Sequence, residues 1–308
     1  SMSTRSVDVP RGVDAAAVIE ALMAVAEAAG EAELAVGASR CCVARLRACP
    51  ASVSSERAAP IACGVYAITG GLGGLGLRAA ALMVERGARR VLLASRSGRV
   101  VRGGQGLDAR LRALGARAVV IGCDASDGSD VRAFFCGQES LNGVLHAAGV
   151  LRDGMVWSMG SSAVECVFEP KALGALRLRM ASARCALEAL VLFSSIAAAF
   201  GNVGQANYAA ANAALDAAAL GMRVVGSVGS SLQIPAVSGA GMGASTFDSE
   251  QLDAMGAISL DAFAACLWSA LSASRSAAER VLTPLTCALT EMVGDSQPRF
   301  GELAALAK

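Results

Sequence analysis

Side chains that could transfer a proton are gathered in the stretch FSSIAAAFGNVGQANYAAAN, residues 193–212. A loop of small residues separates Ser195 from Tyr208, and Asn212 follows Tyr208 by one helical turn. The apolar run 187–193 predicts a buried strand that places Ser195 at its carboxyl end, followed by a helix that presents Tyr208 and Asn212. Ligands bind at that end of the strands in open α/β sheets, so we expect an active site here. The alternative is that Tyr208 only packs beneath the loop.

The scarcity of titratable side chains narrows the candidates for proton chemistry. The chain has two tyrosines, Tyr66 and Tyr208, two lysines, Lys171 and Lys308, and one histidine, His146. Tyr66 lies in an apolar run and is predicted to be core, and Lys308 is the last residue. A reaction that needs a phenol and an ammonium therefore has Tyr208 and Lys171 as candidates. His146 is predicted to anchor a loop rather than to catalyse.

A glycine-rich turn follows the predicted strand GVYAIT at residues 64–69 and precedes a predicted helix. Glycines in this context let backbone N–H groups approach a pyrophosphate at the helix N-terminus. A glycine-rich turn without a ligand is the alternative. The residues predicted to bind a dinucleotide here are Thr69, Gly70, Gly71, Leu72, Gly73 and Gly76.

The end of the second predicted strand indicates which dinucleotide would bind. An NAD site of the Rossmann type places an acid about 20 residues after the glycines. This chain has Ser95, Arg96 and Ser97 there instead. A guanidinium can pair with a 2′-phosphate, so the sequence favours NADP over NAD. An ordinary exposed arginine is the alternative.

The third and fourth predicted strands also end in residues suited to a dinucleotide. Asp124, with Ala125 beside it, ends the third strand and is placed to hydrogen-bond the adenine amine. Ala147, Ala148 and Gly149 end the fourth strand with small residues, where the ribose of the cofactor must pass.

The order of elements predicts the fold that holds these residues. Apolar strands alternate with helical segments from residue 64 onward, which predicts an α/β fold: a doubly wound parallel sheet of the Rossmann type. About seven strands are expected, at 64–69, 89–95, 118–122, 141–148, 189–195, 227–234 and 280–285. Single helices are predicted over 161–183 and around Tyr208. The Gly- and Ser-rich stretch 235–249 is predicted to be a flexible loop, long enough to be a lid.

Three segments are predicted along the chain. Residues 1–60 are expected to form a small N-terminal α/β appendage, with a helix at 13–29, strands at 33–36 and 41–46, and a linker over 50–60. Residues 61–295 form the dinucleotide-binding catalytic domain, and residues 296–308 a C-terminal tail.

Composition excludes several classes of function. The net charge is +1, which implies neither a nucleic-acid partner nor a membrane surface, and no apolar run reaches the roughly 18 residues of a membrane span. The ten cysteines include no CxxC pair, and one histidine leaves no zinc spacing, so no metal site is expected. The cysteines are expected to be reduced thiols of a cytoplasmic, intracellular protein.

The order of these motifs is similar to that of the short-chain dehydrogenase/reductase family. Most members carry Tyr-x-x-x-Lys, whereas this chain has Tyr208-x-x-x-Asn212. In this respect it resembles the ketoreductase domains of modular polyketide synthases and type I fatty acid synthases. Those domains place the lysine upstream in Pro-Lys-x-x-Gly-Ala, which PKALGA at 170–175 matches. The resemblance covers residues 60–290, and residues 33–46 resemble the last strands of the truncated subdomain that precedes such ketoreductases.

The resemblance implies NADPH-dependent reduction of a β-ketoacyl thioester that is carried on the phosphopantetheine of an acyl carrier protein. Tyr208 would donate the proton, Ser195 would hydrogen-bond the same oxygen, and Asn212 would orient Lys171. The charges of Lys171 and of the oxidised nicotinamide ring are expected to lower the pKa of the phenol. Neighbouring synthase domains are implied as partners, in either polyketide or fatty acid synthesis.

A loop after the fourth strand bears on the configuration of the product. Ketoreductases that give the 3R alcohol resemble each other in a Leu-Asp-Asp loop, and Leu151-Arg152-Asp153 keeps its last residue. Asn207 also matches that class, and Phe200 stands where the opposite class carries a tryptophan. The resemblance therefore favours a 3R product, with Asp153 as a simple loop residue as the alternative. The family's usual Trp-Gly-x-Trp segment is absent at 232–237.

Two other functions remain open. One is a catalytically silent ketoreductase-like domain with a structural or carrier-docking role, against which the intact set Ser195, Tyr208, Lys171 and Asn212 argues. The other is a free-standing reductase of small molecules, against which the upstream lysine and the N-terminal appendage argue.

Overall fold

The computed structural model describes residues 63–273 except 102, 104, 138 and 139, together with the backbone of four short strands outside that range. The chain divides into two compact units, Ser1–Arg57 with Thr286–Lys308, and Ala58–Leu285. The domain boundaries predicted from the sequence stay predictions. The helix predicted at 13–29, the linker at 50–60 and the tail at 296–308 lie outside the described residues.

The first unit contains a small three-stranded sheet. Strand β1 (Ser6–Asp8) pairs parallel with β2 (Glu33–Val36), and β2 pairs antiparallel with β3 (Cys41–Cys42). Strand β2 has the predicted bounds, and β3 covers the first two residues of the strand predicted at 41–46.

The second unit is built on a parallel seven-stranded sheet in the order β10-β9-β8-β7-β4-β5-β6. The order reverses beside β4, which makes a topological switch point where α/β proteins bind ligands. The predicted doubly wound sheet is confirmed. Its strands are β4 (Val65–Thr69), β5 (Arg90–Ser95), β6 (Ala118–Gly122), β7 (Gly143–His146), β8 (Ala189–Ser195), β9 (Ser230–Ile234) and β10 (Val281–Leu282).

The described helices cover both faces of this sheet. They are α1 (Gly74–Glu85), α2 (Leu107–Ala113), α3 (Gly128–Cys136), α4 (Ser161–Phe168), α5 (Gly174–Ala181), α6 (Ala197–Phe200), α7 (Ala206–Val224), α8 (Gly243–Thr246), α9 (Ser249–Ala254) and α10 (Leu260–Ala273). Among the described residues, none of the helices combines the length and the apolar character needed to cross a membrane.

Alternate residues of the strands pack into two separate hydrophobic cores, one on each face of the sheet. On one face Tyr66 and Ile68 of β4 pack in a core with α1 and α10. On the other face Val65 and Ala67 of the same strand pack in a core with α3, α5 and α7. Because both faces are buried, the strands read as continuous apolar runs, and each fully buried large side chain contributes about 1.5–3 kcal/mol.

The helix predicted over 161–183 is interrupted at the lysine. Between α4 and α5 the chain forms a π-helical segment, Glu169–Leu173, with Pro170 near its start. Proline lacks a backbone N–H and cannot continue a regular α-helical ladder, and π turns insert one extra residue. The insertion changes the face on which Lys171 emerges.

The stretch 235–249 is attached to the rest of the domain, in contrast to the predicted flexible loop. The side chain of Gln105 donates to the carbonyl of Gly241 at 3.0 Å, and the Gly241 N–H donates back to Gln105 Oε1 at 3.1 Å. Ala240 is fully buried, and a Cβ on Gly74 of α1 would overlap both Ala240 and Gly241. The sequence did not predict these contacts because Gln105 lies far from residues 235–249 along the chain.

Candidate active site

Strand β8 and helix α7 bring together the two hydroxyl groups predicted from the sequence. Ser195 is the last residue of β8, and Tyr208 lies in the first turn of α7. The phenol of Tyr208 forms side-chain hydrogen bonds with Ser195 and Asn212. The strand, loop and helix that we predicted therefore place the three side chains as expected.

Asn207 holds the start of α7 in place. Its Oδ1 accepts the backbone N–H of Tyr208 at 2.8 Å. Its Nδ2 donates to the carbonyls of Arg152 at 2.9 Å and Ala163 at 3.1 Å. Asn207 thus ties the tyrosine to the loop after β7 and to α4, a structural role that does not depend on the configuration of any product.

Lys171 reaches the same site from the π-helical segment. Its side chain is only 4% exposed, and Nζ donates to the carbonyl of Phe193 at 2.7 Å. Nζ lies 5.3 Å from the centroid of the Tyr208 ring. Burial lowers the pKa of Lys171 to about 7, and the charge of Asp216 acts in the opposite direction.

In the protein alone, the pKa of the phenol shifts in the direction opposite to that expected with Lys171 and an oxidised nicotinamide. Burial raises the pKa of Tyr208 above its ordinary value of 10, although hydrogen bonds from Asn212 and Ser195 oppose that rise. The physical reason is that the phenol is desolvated while the amine directs its hydrogen bond to the Phe193 carbonyl. The phenol is therefore fully protonated at neutral pH.

Asn212 is fully buried in the middle of this group. Its Nδ2 donates to the backbone carbonyl of Tyr208 at 2.8 Å. Its Oδ1 has no hydrogen-bond partner among the residues that the structure describes. A buried acceptor without a partner is costly and marks a place for a donor. The predicted orientation of Lys171 by Asn212 stays a prediction.

His146 connects the lysine to the glycine turn. Its Nε2 lies 2.9 Å from the carbonyl oxygen of Lys171, and its Nδ1 lies 2.7 Å from the hydroxyl of Thr69. Because a carbonyl can only accept, Nε2 must carry the proton, and Nδ1 accepts from the threonine. Burial lowers the pKa of His146 to about 4, so the ring is neutral. This arrangement agrees with the predicted anchoring role.

The glycine turn between β4 and α1 has the geometry of a phosphate-binding loop. Gly70 has φ 65°, and a Cβ on Gly71 would lie 2.7 Å from the carbonyl oxygen of Ile68. A Cβ on Gly76 would overlap the carbonyl oxygen of Gly70. Gly73 caps α1 without any side-chain hydrogen bond, and the first turn holds no acid, so its N–H groups remain available for an anion. Leu72 belongs to the core.

Residues predicted around the adenosine lie at the carboxyl ends of β5 and β6. The hydroxyl of Ser95 is buried and has no partner among the described residues, and Arg96 is exposed. The hydroxyl of Ser97 donates to the carbonyl of Arg99 at 2.8 Å. Asp124 accepts the N–H of Ser126 at 2.8 Å. A serine hydroxyl without a partner among the described residues, next in the sequence to an exposed guanidinium, suits a phosphate.

At the end of β7 the chain runs close to the glycine turn and to Lys171. The N–H of Ala147 donates to the carbonyl of Thr69 at 3.0 Å, and a Cβ on Gly70 would lie 2.7 Å from the Ala147 carbonyl. A Cβ on Gly149 would lie 3.2 Å from Cε of Lys171. Ala125 is buried, and its carbonyl and the His146 ring both lie within 3.4 Å of the position that a Cβ on Gly174 would take. Ala148 lies between Ala147 and Gly149 in the sequence.

Two loops meet beside Tyr208. Gln205 donates to Asp153 Oδ2 at 3.0 Å, and the N–H of Gly154 donates to the carbonyl of Gly204 at 2.8 Å. The sequence did not single out Gln205, because its partner lies far away along the chain. Phe200 ends the short helix α6 between Ser195 and Tyr208.

Within the part of the chain whose side chains the structure describes, no group of three His, Cys, Asp or Glu residues is close enough to hold an ion.

The sequence matches a family model, and the match includes this entire site. The model is that of the KR domain, and it covers residues 64–239, which is more than half of the chain. The chain belongs to the KR domain family. The family resemblance inferred from the upstream lysine is confirmed.

Relatives of this KR domain are polyketide synthases. Polyketide synthase GfsB of Streptomyces halstedii is 42% identical over 178 residues, which are 57% of this chain and 3% of that protein. The spectinabilin polyketide synthase system protein NorA′ of Streptomyces orinoci is 38% identical over 230 residues, 73% of this chain and 6% of that protein. The chain thus spans a small fraction of both synthases.

The fold is also similar to that of a solved A-type ketoreductase from a modular polyketide synthase. That structure is 30% identical, with a TM-score of 0.81 over 98% of this chain and 66% of the other. The KR domain therefore has the architecture of polyketide synthase ketoreductases.

Proposed function

We propose that this KR domain is an NADPH-dependent reductase that converts a β-ketoacyl thioester on an acyl carrier protein to the β-hydroxyacyl thioester. One observation carries the proposal. The buried Nζ of Lys171 lies 5.3 Å from the ring of Tyr208, whose phenol hydrogen-bonds Ser195 at the end of a central strand. Family membership supports ketone reduction, and the polyketide synthase relatives support a thioester substrate.

The described residues fit a nicotinamide dinucleotide. The glycine turn around Gly70 and Gly76 leaves room for a pyrophosphate at the start of α1. Ser95 and Arg96 would hold a 2′-phosphate, and Asp124 the adenine amine. When bound, the cofactor supplies the hydride that the ketone carbon receives. We infer NADPH rather than NADH from the arginine and the serine hydroxyl.

Tyr208 is the proton donor in this proposal. The ketone oxygen gains negative charge during reduction and needs a proton and hydrogen bonds. Because burial raises the pKa of Tyr208, its phenol carries a proton at neutral pH and can give it to that oxygen. Ser195 donates a second hydrogen bond to the same oxygen. Lys171 supplies positive charge near the phenolate that remains, and Asn212 holds the backbone of the tyrosine in position.

The configuration of the product is part of the proposal. The Asp153–Gln205 hydrogen bond joins the loop after β7 to the loop before α7, beside the catalytic tyrosine. This contact supports a fixed orientation of the substrate. We propose the 3R alcohol because Asp153 and Asn207 match residues of ketoreductases that give that product. The designation A-type describes the similar solved structure and not this chain. Chiral chromatography of the product decides the point.

The test is oxidation of NADPH by an N-acetylcysteamine β-ketoacyl thioester, with the purified chain and with Tyr208→Phe. We expect turnover by the wild type, and a loss of about 100-fold or more in kcat for the variant, the usual contribution of a general acid. NADPH binding, followed by its fluorescence, should be unchanged. Turnover retained by the variant would refute Tyr208 as the donor. NADPH binding without turnover by the wild type would indicate a silent module instead.

A further inference from the structure

Asp216 is a buried carboxyl group that the proposed chemistry does not use. It lies on α7, one helical turn beyond Asn212 and two beyond Tyr208. Ser231 Oγ donates to its Oδ1 at 2.5 Å, and Gln233 Nε2 donates to its Oδ2 at 2.7 Å. Burial raises the pKa of Asp216 above its ordinary value, and the two hydrogen bonds from neutral donors on β9 oppose that rise because they favour the ionised carboxylate.

Strand β8 connects this carboxylate to the catalytic lysine. The hydroxyl of Ser194 donates to the Asn212 carbonyl at 3.2 Å and lies close enough to Asp216 to lower the pKa of its carboxyl group. The residue before it, Phe193, accepts the hydrogen bond from Lys171 Nζ. The end of β8 is thus held between the amine and the carboxylate.

Two titratable side chains that contact Lys171 are uncharged. His146 from β7 is neutral, and Tyr208 from α7 is a protonated phenol. Among the described residues, Asp216 is the carboxylate whose charge acts on Lys171, and it opposes the effect of burial. The lysine acts on Asp216 in return.

We propose that Asp216 is a positioning residue that favours the protonated form of Lys171 inside the reductase site. Its carboxylate is fixed by Ser231 and Gln233 and acts across the end of β8. The consequence for turnover rests on the proposed function, whereas the effect on the amine does not. The two can therefore be tested separately.

The experiment uses the chain's two lysines, Lys171 and Lys308. Labelling with [ε-¹³C]lysine gives two NMR signals in the full chain, and Lys308→Arg assigns them. In Asp216→Asn we expect the titration midpoint of Lys171 to fall further, by about half a unit or more, since an opposite charge is lost. Asp261→Asn is the matched control, because that carboxylate is 91% exposed and pairs with Arg78. It should leave the midpoint unchanged.

Two outcomes separate the possibilities. An equal midpoint in Asp216→Asn and Asp261→Asn, with dispersed NMR spectra in both, would overturn the proposal and leave Asp216 a purely structural group. If Asp216→Asn does not fold, Asp216→Ser provides the same neutral readout with a smaller side chain. Where turnover is measurable, the alkaline limb of kcat/KM should move in the same direction as the amine. The NMR result stands even if the wild type proves silent.

Discussion

Burial, rather than ion pairing, is the main cause of the pKa shifts of Lys171 and Tyr208 in this site. It lowers the pKa of Lys171 to about 7 and raises the pKa of Tyr208 above 10. The two side chains thus meet with the proton held firmly on the phenol and loosely on the amine. A phenol of this kind can donate a proton to a developing alkoxide. The nearby positive charge then stabilises the phenolate that remains after the proton has left.

His146 offers a direct test of this view, because it is the chain's single histidine and so gives one set of imidazole NMR signals. Burial lowers its pKa to about 4, since a charged ring would lose both the apolar surroundings and the hydrogen bond that Nδ1 accepts from Thr69. We therefore expect no titration of the Hε1 shift between pH 8 and about pH 5.5. In urea the same signal should titrate near pH 6.5. A folded-state midpoint near 6.5 would show that the ring is solvated.

The candidate catalytic residues could be predicted from the sequence, but the residues that hold them in position could not. Ser195, Tyr208 and Lys171 stand out because their types are rare in this chain and their spacing is distinctive. Asp216 looks like any acid on an amphipathic helix. Its role depends on Ser231 and Gln233 of a neighbouring strand, and such pairing across the sheet leaves no local signal.

At the scale of elements, the glycine turn is packed so closely that a side chain at some of its glycines would overlap neighbouring backbone atoms. Gly76→Ala would place a Cβ against the Gly70 carbonyl, which is backbone and cannot turn away. Such overpacking costs about 1–3 kcal/mol. If the turn holds the cofactor, we expect the affinity for NADPH to fall by about 10-fold or more while the fold persists. Isothermal titration calorimetry measures the loss.

A second helical glycine provides the control. A Cβ at Gly221 of α7 would have nothing within 4 Å. Gly221→Ala should therefore keep the affinity for NADPH and stabilise the protein by about 0.5–1 kcal/mol, the difference in helix propensity. Equal affinities in the two variants would contradict a cofactor role for the turn.

The π-helical segment shows where prediction of elements fails. The residues of 161–183 favour a helix throughout, and a helix is present on both sides of Glu169–Leu173. Local propensity does not encode the extra residue per turn, which is set by the contacts of Lys171 with Phe193 and His146. The sequence could predict a helix, but not the face that carries the amine.

At the scale of the whole second unit, apolar runs and intervening helices were sufficient to predict the parallel sheet. Each strand of the sheet interior is buried on both faces, so the pattern is strong and the order of elements is unambiguous. The carboxyl ends of β4, β7 and β8 then bring Thr69, His146 and Ser195 to one edge. The fold therefore gathers residues from distant parts of the chain without any local signal for their contact.

A buried amine with a pKa near 7 makes the stability of the whole fold depend on pH. In an unfolded chain the lysine pKa is about 10.4, so between pH 7 and pH 9 the unfolded state binds more protons than the folded state. This amine therefore adds about 2 kcal/mol to the free energy of unfolding over this window. His146 titrates below the window. Burial raises the pKa of the Cys123 thiol to about 11, so that group reduces stability once the pH approaches its unfolded pKa of about 8.5 and offsets part of the gain at the upper end of the window.

Urea unfolding at pH 7 and pH 9 measures this gain, and Lys171→Met provides the comparison because methionine has a similar length and no charge. The wild type should gain about 2 kcal/mol more than the variant between the two pH values. Titratable groups elsewhere in the chain contribute equally to both proteins and cancel in the difference. An equal gain in the two proteins would mean that the amine keeps its ordinary pKa and is hydrated in the folded state, which the hydrogen bond to the Phe193 carbonyl and the surrounding apolar side chains argue against.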